Sequence, residues 1–123
     1  MLEQFQPEGF DVFAGSESFL LSTLRAGGAG CISATANVNP AAINQLFETY
    51  QNSDADQQQA QLDAVRDQYK HYVMISALKA TIAHHRNDDE WMRVRAPLTE
   101  VSDDQSKTLV KDLADVGYSM PAV

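Results

Sequence analysis

Apolar residues in the first part of the chain form a short compact run followed by a helical stripe. The run "GFDVFAG" (residues 9–15) is brief, β-branched and aromatic, and glycine bounds it on both sides, which predicts a short buried strand. Ser16 then stands where a helix cap is expected, with an acidic residue after it in the first turn. The apolar stripe of this helix consists of Leu20, Leu21 and Leu24. We expect the helix to end at the glycine pair 27–28.

The same order repeats once. The run "GCISATA" (30–36) predicts a second strand. Asn39 and Pro40 then start a helix, with asparagine as the cap and proline at the first helical position. The apolar face of this helix is formed by Ile43, Leu46, Phe47 and Tyr50. A strand–helix–strand–helix order with short loops predicts parallel strands with helices packed outside them.

After residue 51 the pattern changes to helices joined by polar segments. Residues 52–60 are polar, and a long helical stripe covers residues 56–85 as one helix or two. Residues 86–101 lack a regular period, and Ser102 then caps a final helix that ends at Gly117.

The length of the chain, 123 residues, fits one small domain at most. The pattern predicts two strand–helix units over residues 1–51 and a helical extension over residues 52–123, and we expect the two parts to form one structural unit.

The glycine cluster "RAGGAG" (25–30) invites comparison with a phosphate-binding loop. Such a loop needs its glycines after a strand and before a helix, so that the helix N-terminus meets the phosphate. Here the glycines follow a helix and precede a strand, and no Gly-Lys-Ser/Thr ending is present. The order favours glycines that close a helix over glycines that bind phosphate.

The charge of the chain argues against several classes of partner. The formal net charge is −8 at pH 7 and the sequence pI is about 4.6, which disfavours binding to nucleic acid or to anionic membranes. No apolar run approaches the length of a membrane span, and the N-terminus lacks the features of a signal peptide. The single cysteine, Cys31, fits a reducing compartment. We therefore expect a cytoplasmic chain with no nucleic-acid and no membrane partner.

One cluster has metal-ligand residue types. His84 and His85 precede three acidic residues at 88–90, but adjacent helical residues point about 100° apart. This geometry favours a solvated helix end. Cys31 lacks a CxxC partner and is interpreted as a small buried apolar residue. We expect neither a metal nor a cofactor.

Three stretches in order carry a resemblance to a known family: "FAGSE" (13–17), "LRAGGAGCISATANVNP" (24–40) and "APLTEVS" (96–102). Together they resemble the dihydrodipicolinate synthase and N-acetylneuraminate lyase family, over nearly the whole chain. The matching positions are Gly15, Glu17, Gly27, Gly28, Gly30, Ile32, Ser33, Thr35, Ala36 and Asn37. The resemblance implies an α/β fold: the last two strand–helix units of a TIM (β/α)8 barrel, followed by a C-terminal helical segment, mostly helical by residue count.

The resemblance also implies a chemistry. Family members are lyases of the class I aldolase type, in which a lysine forms a Schiff base with a 2-keto acid such as pyruvate. The family's lysine and its proton-shuttling tyrosine lie upstream of Met1, so we expect no catalytic residue in this chain and no activity of the isolated chain. Met1 is then an internal methionine, the start of a truncated product, or the start of a fragment.

The chain's own lysines are poor substitutes for the family's lysine. A Schiff-base lysine must be desolvated or lie near another cation to be nucleophilic at neutral pH. The four lysines lie on expected helices among polar neighbours: Lys70, Lys79, Lys107 and Lys111.

Four residues are substrate-binding candidates by the resemblance: Gly15, Ser16, Glu17 and Ile32. Ile32 corresponds to a residue whose main-chain carbonyl faces the keto-acid site, although its side chain alone would suggest a core position. Glu17 has an equally strong structural interpretation, as a complement to a helix dipole. Ser18 and Ala34 depart from the neuraminate lyase branch, which disfavours a sialic-acid substrate.

The rival hypothesis is a non-catalytic half-barrel and helical module that assembles with itself or with another chain. The family's C-terminal helices often contribute to oligomer contacts, which implies a homo-oligomer. The gene sequence upstream of Met1 would separate the two hypotheses, because a continuous frame with a strand that ends in lysine indicates an enzyme.

Overall fold

A computed structural model describes residues 2–120 of the protein. The chain divides into two compact units, with the boundary between Asp63 and Ala64.

The regular elements are mostly helical. The helices are α1 (Leu2–Phe5), α2 (Leu20–Arg25), α3 (Pro40–Thr49), α4 (Ala55–Tyr69), α5 (Met74–Arg86) and α6 (Asp103–Asp115). The strands are β1 (Phe13–Ala14) and β2 (Gly30–Cys31). Short 3-10 turns cover Gln6–Glu8, Glu17–Phe19, Ala34–Asn37 and Asp89–Met92.

The two strands are parallel, as the strand–helix–strand–helix pattern predicts. Phe13 pairs with Gly30 and Ala14 with Cys31. A further hydrogen bond continues the ladder past β2, from the Ile32 N–H to the Ala14 carbonyl at 2.8 Å. Each strand is followed by a helix, α2 and then α3, so the predicted order is confirmed.

The strands are much shorter than the sequence pattern predicts. The expectation of a strand over residues 30–36 is wrong beyond Cys31, because Ala34–Asn37 forms a 3-10 turn. The Asn37 side-chain amide donates to the Ala34 carbonyl at 2.8 Å and holds this turn closed. The expected strand over residues 9–15 likewise shrinks to two residues, since β2 offers a ladder of only that length.

The glycine cluster closes α2, as the order of elements predicts. Gly27 has φ +84°, a conformation that disfavours a β-carbon. Gly28 has a steric reason instead: a Cβ there would lie 2.4 Å from the Thr23 Cγ2 and 3.0 Å from the Thr23 carbonyl oxygen. Both glycines are therefore required by the turn that leads into β2.

The core of the first unit is built from leucines on the helices. Its fully buried members are Leu20, Leu21, Leu24, Leu46, Ala55 and Leu62. The predicted stripes on α2 and α3 are thus confirmed, except that Phe47 stays exposed. Each buried leucine contributes about 1.5–3 kcal/mol to the free energy of folding. Asn39 precedes α3 as expected, but its side chain makes no capping hydrogen bond.

The long helical stripe is two helices, α4 and α5, separated at residues 70–73, and the boundary between the two units falls within α4. Tyr69 is fully buried, and its hydroxyl lies 3.1 Å from the Thr81 Oγ1. Burial raises the pKa of Tyr69 to about 12. The final helix, α6, begins with a capping box between Ser102 and Gln105, which confirms the predicted cap.

Within residues 2–120, the helices are too short or too polar for any of them to span a lipid bilayer.

Candidate functional site

The strand ends of the first unit enclose a buried carboxylate. Glu17 is only 2% exposed, although it lies four residues after the start of β1. The Thr35 hydroxyl donates to its Oε1, and the Ser33 hydroxyl donates to its Oε2. The Ser16 Oγ lies 3.5 Å from Oε2, at the limit of a hydrogen bond. Both carboxylate oxygens are therefore satisfied by hydroxyl groups inside the protein.

The topology explains why these side chains meet. Glu17 opens the 3-10 turn that follows β1, while Ser33 and Thr35 follow β2. Parallel strands direct their carboxyl ends to the same edge of a sheet, so the residues that follow them become neighbours. Glu17 and Thr35 are 18 positions apart along the chain and hydrogen-bonded in the fold.

The negative charge of Glu17 affects the pKa of Cys31 on the neighbouring strand. Burial and, to a smaller extent, the Glu17 carboxylate raise the pKa of the Cys31 thiol. Cys31 is half-buried and packs against the leucine core. Its thiol is therefore protonated at neutral pH, as befits the apolar packing role that the sequence indicates.

The Gln59 side chain on α4 hydrogen-bonds to the turn that contains Glu17. Its side-chain Nε2 donates to the main-chain carbonyl of Glu17 at 3.0 Å, and its Oε1 accepts from the Leu21 N–H at 3.0 Å. Asp63, one turn further along α4, accepts a second hydrogen bond from the Nε2 at 3.2 Å. Sequence reasoning missed Gln59, because it lies in the polar stretch 52–60 and its partners are about forty positions away.

A salt bridge also joins α2 and α4. Arg25 and Asp56 form a bidentate pair with N–O distances of 2.9 and 2.8 Å. The Asp56 carboxylate holds the pKa of Arg25 above its ordinary value, and Arg25 lowers the pKa of Asp56. Both side chains are solvent-exposed, so the pair orients the helices more than it stabilises them.

The structure brings together only part of the predicted site. Ser16 and Glu17 join Ser33 and Thr35 in one cluster, which we call the strand-end cluster. Gly15 is exposed at the end of β1 and nothing lies within 4 Å of where its Cβ would be. Ser33 and Thr35 were matched by the resemblance, but their contact with Glu17 follows only from the fold.

Ile32 departs from expectation at its side chain. Sequence reasoning places this side chain in a core, whereas it is 74% exposed. The reason is that Ile32 lies just beyond the last strand pair, where the described residues place no further strand or helix over it.

An apolar groove opens beside β2. Its volume is about 420 Å³, and its lining includes Phe13, Leu20, Gly30, Cys31, Ile43 and Phe47. Gly30 has φ +148°, and a Cβ at this position would lie 3.5 Å from the Phe13 ring. Phe13 is 49% exposed. The groove is therefore a half-covered apolar surface along one strand edge.

The second unit contains the histidines and all the lysines. The His84 and His85 rings lie 5.2 Å apart, and His85 also contacts Tyr118. Burial, and secondarily His84, lowers the pKa of His85. Over residues 2–120, no three His, Cys, Asp or Glu side chains are grouped closely enough to hold a metal ion.

Three of the four lysines have ordinary surface partners. Lys70 pairs with Asp67, and Lys111 pairs with Asp115 at 2.7 Å. Lys79 lies over the Trp91 ring at 5.6 Å. Asp115 raises the pKa of Lys111, which is the opposite of what a nucleophilic amine needs.

Comparison with known proteins gives a consistent result. The model of the dihydrodipicolinate synthetase family matches residues 2–116. A DapA-like lyase of uncharacterised function from Halobacterium salinarum is 35% identical over 107 residues, which cover 85% of this chain and 34% of that protein.

Solved structures support the same fold. A Sulfolobus 2-keto-3-deoxygluconate aldolase in complex with D-KDPG superposes with a TM-score of 0.83 at 17% identity, over 94% of this chain and 41% of that chain. YagE of E. coli, in complex with pyruvate, gives a TM-score of 0.76 at 21% identity, over 91% of this chain and 39% of that chain. The first of these neighbours is an aldolase, and the second belongs to the dihydrodipicolinic acid synthase family. The chain spans about a third of the curated relative and about two fifths of each neighbour.

Proposed function

Since the chain belongs to the dihydrodipicolinate synthetase family, we propose that it forms one wall of the keto-acid site of a Schiff-base-forming carbon–carbon lyase or synthase. The observation that carries this proposal is the strand-end cluster. It lies at the carboxyl ends of two parallel strands, which is where TIM-barrel enzymes build their active sites.

The substrate class follows from the family chemistry. A 2-keto acid such as pyruvate condenses with a lysine amine and releases water, and the resulting iminium accepts the electron pair when the carbon–carbon bond breaks. The solved complex of YagE with pyruvate supports this class for the family. The aldehyde partner of the reaction is not specified by the residues of this chain.

Each strand-end residue has a distinct part in this proposal. Gly15 and Ser16 present their main chain at the end of β1, and Ile32 presents its carbonyl at the end of β2. Glu17 is covered by its own chain at 2% exposure, so it acts through the hydroxyls of Ser33 and Thr35 and not by direct contact with substrate. Ser33 is half-buried and donates its hydroxyl hydrogen bond to Glu17, so its oxygen acts toward other groups as an acceptor.

The nucleophile is supplied from outside these 123 residues. The first unit contains no lysine in its sequence, and three of the four lysines of the second unit pair with a carboxylate or lie over an aromatic ring. We therefore propose that the isolated chain is inactive.

The edge of β1 that faces away from β2 is available for pairing with further strands of a barrel. Alternate residues of a strand direct their main-chain groups to opposite sides. The Val12 and Ala14 carbonyls face β2, so the main-chain groups of Phe13 face away from it. Such an edge, with the apolar groove beside β2, needs further strands to cover it. These strands come from a longer form of the chain or from a separate polypeptide.

The same edge supports the second candidate, a non-catalytic module that associates through exposed apolar groups. Phe10, Phe13 and Phe47 are all exposed in the first unit. A homo-oligomer, a cytoplasmic location and the absence of nucleic-acid and membrane partners belong to both candidates and rest on the acidic charge and the family.

Borohydride trapping tests the proposal. The chain is co-expressed with, or fused to, the lysine-bearing remainder of a family barrel, and pyruvate is added before reduction. The proposal predicts a stoichiometric adduct on the supplied lysine and none on the isolated chain. An adduct on a lysine of this chain, or a fully assembled barrel that forms no adduct, would overturn it.

A further inference from the structure

Gln59 occupies an unusual position in the hydrogen-bond pattern of α2. Its carboxamide joins the Glu17 carbonyl to the Leu21 N–H, two main-chain groups that are four residues apart. In a continuous α-helix these two groups would bond directly to each other. Here the side chain of Gln59 is inserted between them.

The insertion has a visible local consequence. The Glu17 carbonyl accepts instead from the Leu20 N–H, three residues on, and Glu17–Phe19 forms a 3-10 turn before α2 begins at Leu20. Side chains that enter the helical hydrogen-bond ladder bend or unwind it at that point. Glu17 is thus held outside the α-helix.

A carboxamide suits this task. One end of the group donates and the other accepts, so a single glutamine satisfies a carbonyl and an N–H at once. The Leu21 N–H is one of the first-turn donors that a helix cannot satisfy by itself. The Arg25–Asp56 pair and the hydrogen bond to Asp63 hold Gln59 in register with α2.

We propose that Gln59 is a positioning residue for the strand-end cluster: it keeps the turn at Glu17 open, and this sets the Glu17 carboxylate against Ser33 and Thr35. The functional meaning of this inference rests on the proposed function. The positioning itself does not, because it is a property of the first unit alone.

Cys31 provides a readout that does not require activity. It is the single cysteine of the chain, and the Glu17 charge contributes to its raised pKa. If the turn closes and the carboxylate withdraws, the thiolate of Cys31 becomes easier to form. A general loss of stability would not by itself move this titration in the folded protein.

The chain offers a matched control. Gln57 lies two positions before Gln59 on α4 and is exposed, so both positions accept the same substitution. Gln59→Met keeps the length of the side chain and its helix preference but removes the hydrogen bonds to Glu17, Leu21 and Asp63. Gln57→Met makes the same chemical change without touching α2.

The experiment measures the pH profile of Cys31 alkylation by iodoacetamide, followed by mass spectrometry, on four proteins with folded circular dichroism spectra. These are the unmodified chain, Glu17→Gln, Gln59→Met and Gln57→Met. We expect the midpoint to move to lower pH by roughly 0.3 unit or more in Glu17→Gln and Gln59→Met, about a twofold rise in thiolate fraction at a given pH below it. We expect no shift in Gln57→Met.

An unshifted midpoint in Gln59→Met would overturn the inference. An unshifted midpoint in Glu17→Gln would also overturn it, because it would show that the Glu17 charge does not act on Cys31. If Gln59→Met fails to fold, Gln59→Ala against Gln57→Ala repeats the test with the residue that favours helices most. Amide hydrogen exchange of the unmodified chain adds an independent arm. The Leu21 N–H should exchange slowly, and fast exchange there would also overturn the inference.

The functional arm is separate. In a reconstituted enzyme, Gln59→Met should lower kcat by about fivefold or more with little change in KM for pyruvate, because the reacting lysine is untouched. A wild-type reconstitution without adduct would defeat the proposed function and leave the Cys31 result standing. An active reconstitution in which Gln59→Met matches Gln57→Met would defeat the role of Gln59 alone.

Discussion

The Thr35 hydroxyl donates a hydrogen bond to the buried carboxylate of Glu17, and this bond links the segments that follow two different strands. It is a charge-assisted bond between side chains that are 1% and 2% exposed. This bond fixes the relative position of the two strand ends that the proposed site requires.

Removal of the Thr35 hydroxyl should destabilise the first unit. Thr35→Val keeps the shape of the side chain and removes a hydroxyl donor to a buried carboxylate, so we expect a loss of about 1.5–3 kcal/mol in the free energy of unfolding. Thr108→Val is the matched control, since Thr108 is exposed and bonds only its own helix. It should change stability by less than about 0.5 kcal/mol. Urea titrations compare the two, and equal losses would contradict the buried bond.

The glycines of the α2–β2 turn should differ in their tolerance of alanine. Gly27→Ala should cost about 1 kcal/mol or more, because its φ is +84°. Gly28→Ala should cost about 1–3 kcal/mol, because the new Cβ would lie 3.0 Å from the Thr23 carbonyl oxygen. Gly15→Ala is the control, with nothing within 4 Å of its Cβ position.

Thermal melts measure these changes, with and without added nucleotide. A nucleotide-induced rise in the melting temperature of the unmodified chain would restore the phosphate-loop interpretation of residues 25–30.

The isolated chain should self-associate through its uncovered strand edge. Phe13→Lys places a charge beside β2 and should reduce association, whereas Phe19→Lys, also on an exposed phenylalanine, should not. Sedimentation at several concentrations distinguishes the variants. A compact monomer that unfolds sharply at every concentration would argue against an incomplete barrel.

Alkaline pH should destabilise the second unit. Tyr69 has a folded pKa of about 12 against an ordinary value of 10, so the folded state favours the neutral phenol. The stabilisation is complete below pH 10 and is lost as the pH rises from 10 to 12. Tyr69→Phe should flatten this dependence. Burial also raises the pKa of Tyr118, so part of the pH dependence should remain in Tyr69→Phe. Unfolding free energies at pH 8 to 12 provide the test, and an unchanged slope in Tyr69→Phe would contradict it.

The sequence predicted the order of elements better than their lengths. The caps at Ser16 and Ser102 and the glycine-closed helix ends follow from local chemistry, which neighbouring residues decide. The strands depend instead on a partner strand for their length, and only two short ones are present in residues 2–120. This is why the apolar run 30–36 predicts a strand where a 3-10 turn forms.

The candidate site, too, could be predicted from the sequence only in part. Glu17 could be found from its place after a strand and from the family resemblance. Its burial by Ser33 and Thr35, and the insertion of Gln59 into the start of α2, depend on contacts between distant segments. No periodicity or motif in residues 52–60 indicates that one of several glutamines reaches the strand ends.

Loss of the Glu17 charge should affect turnover more than adduct formation. In a reconstituted enzyme, Glu17→Gln should lower turnover by about tenfold, or about 1.4 kcal/mol, while the pyruvate adduct still forms. Glu48→Gln on the exposed face of α3 is the control. If Glu17 serves only the helix dipole, stability should fall by about 0.3–1 kcal/mol and turnover should be unchanged.

The most direct test of the central claim is borohydride reduction in the presence of pyruvate, followed by intact-mass and peptide mass spectrometry. It is applied to the isolated chain and to the chain assembled with a lysine-bearing remainder of a family barrel. We expect no adduct on the isolated chain and one adduct per assembled barrel, on the supplied lysine. An adduct on Lys70, Lys79, Lys107 or Lys111, or no adduct on a properly assembled barrel, would contradict the claim that this chain forms a wall of a keto-acid site and takes its nucleophile from elsewhere.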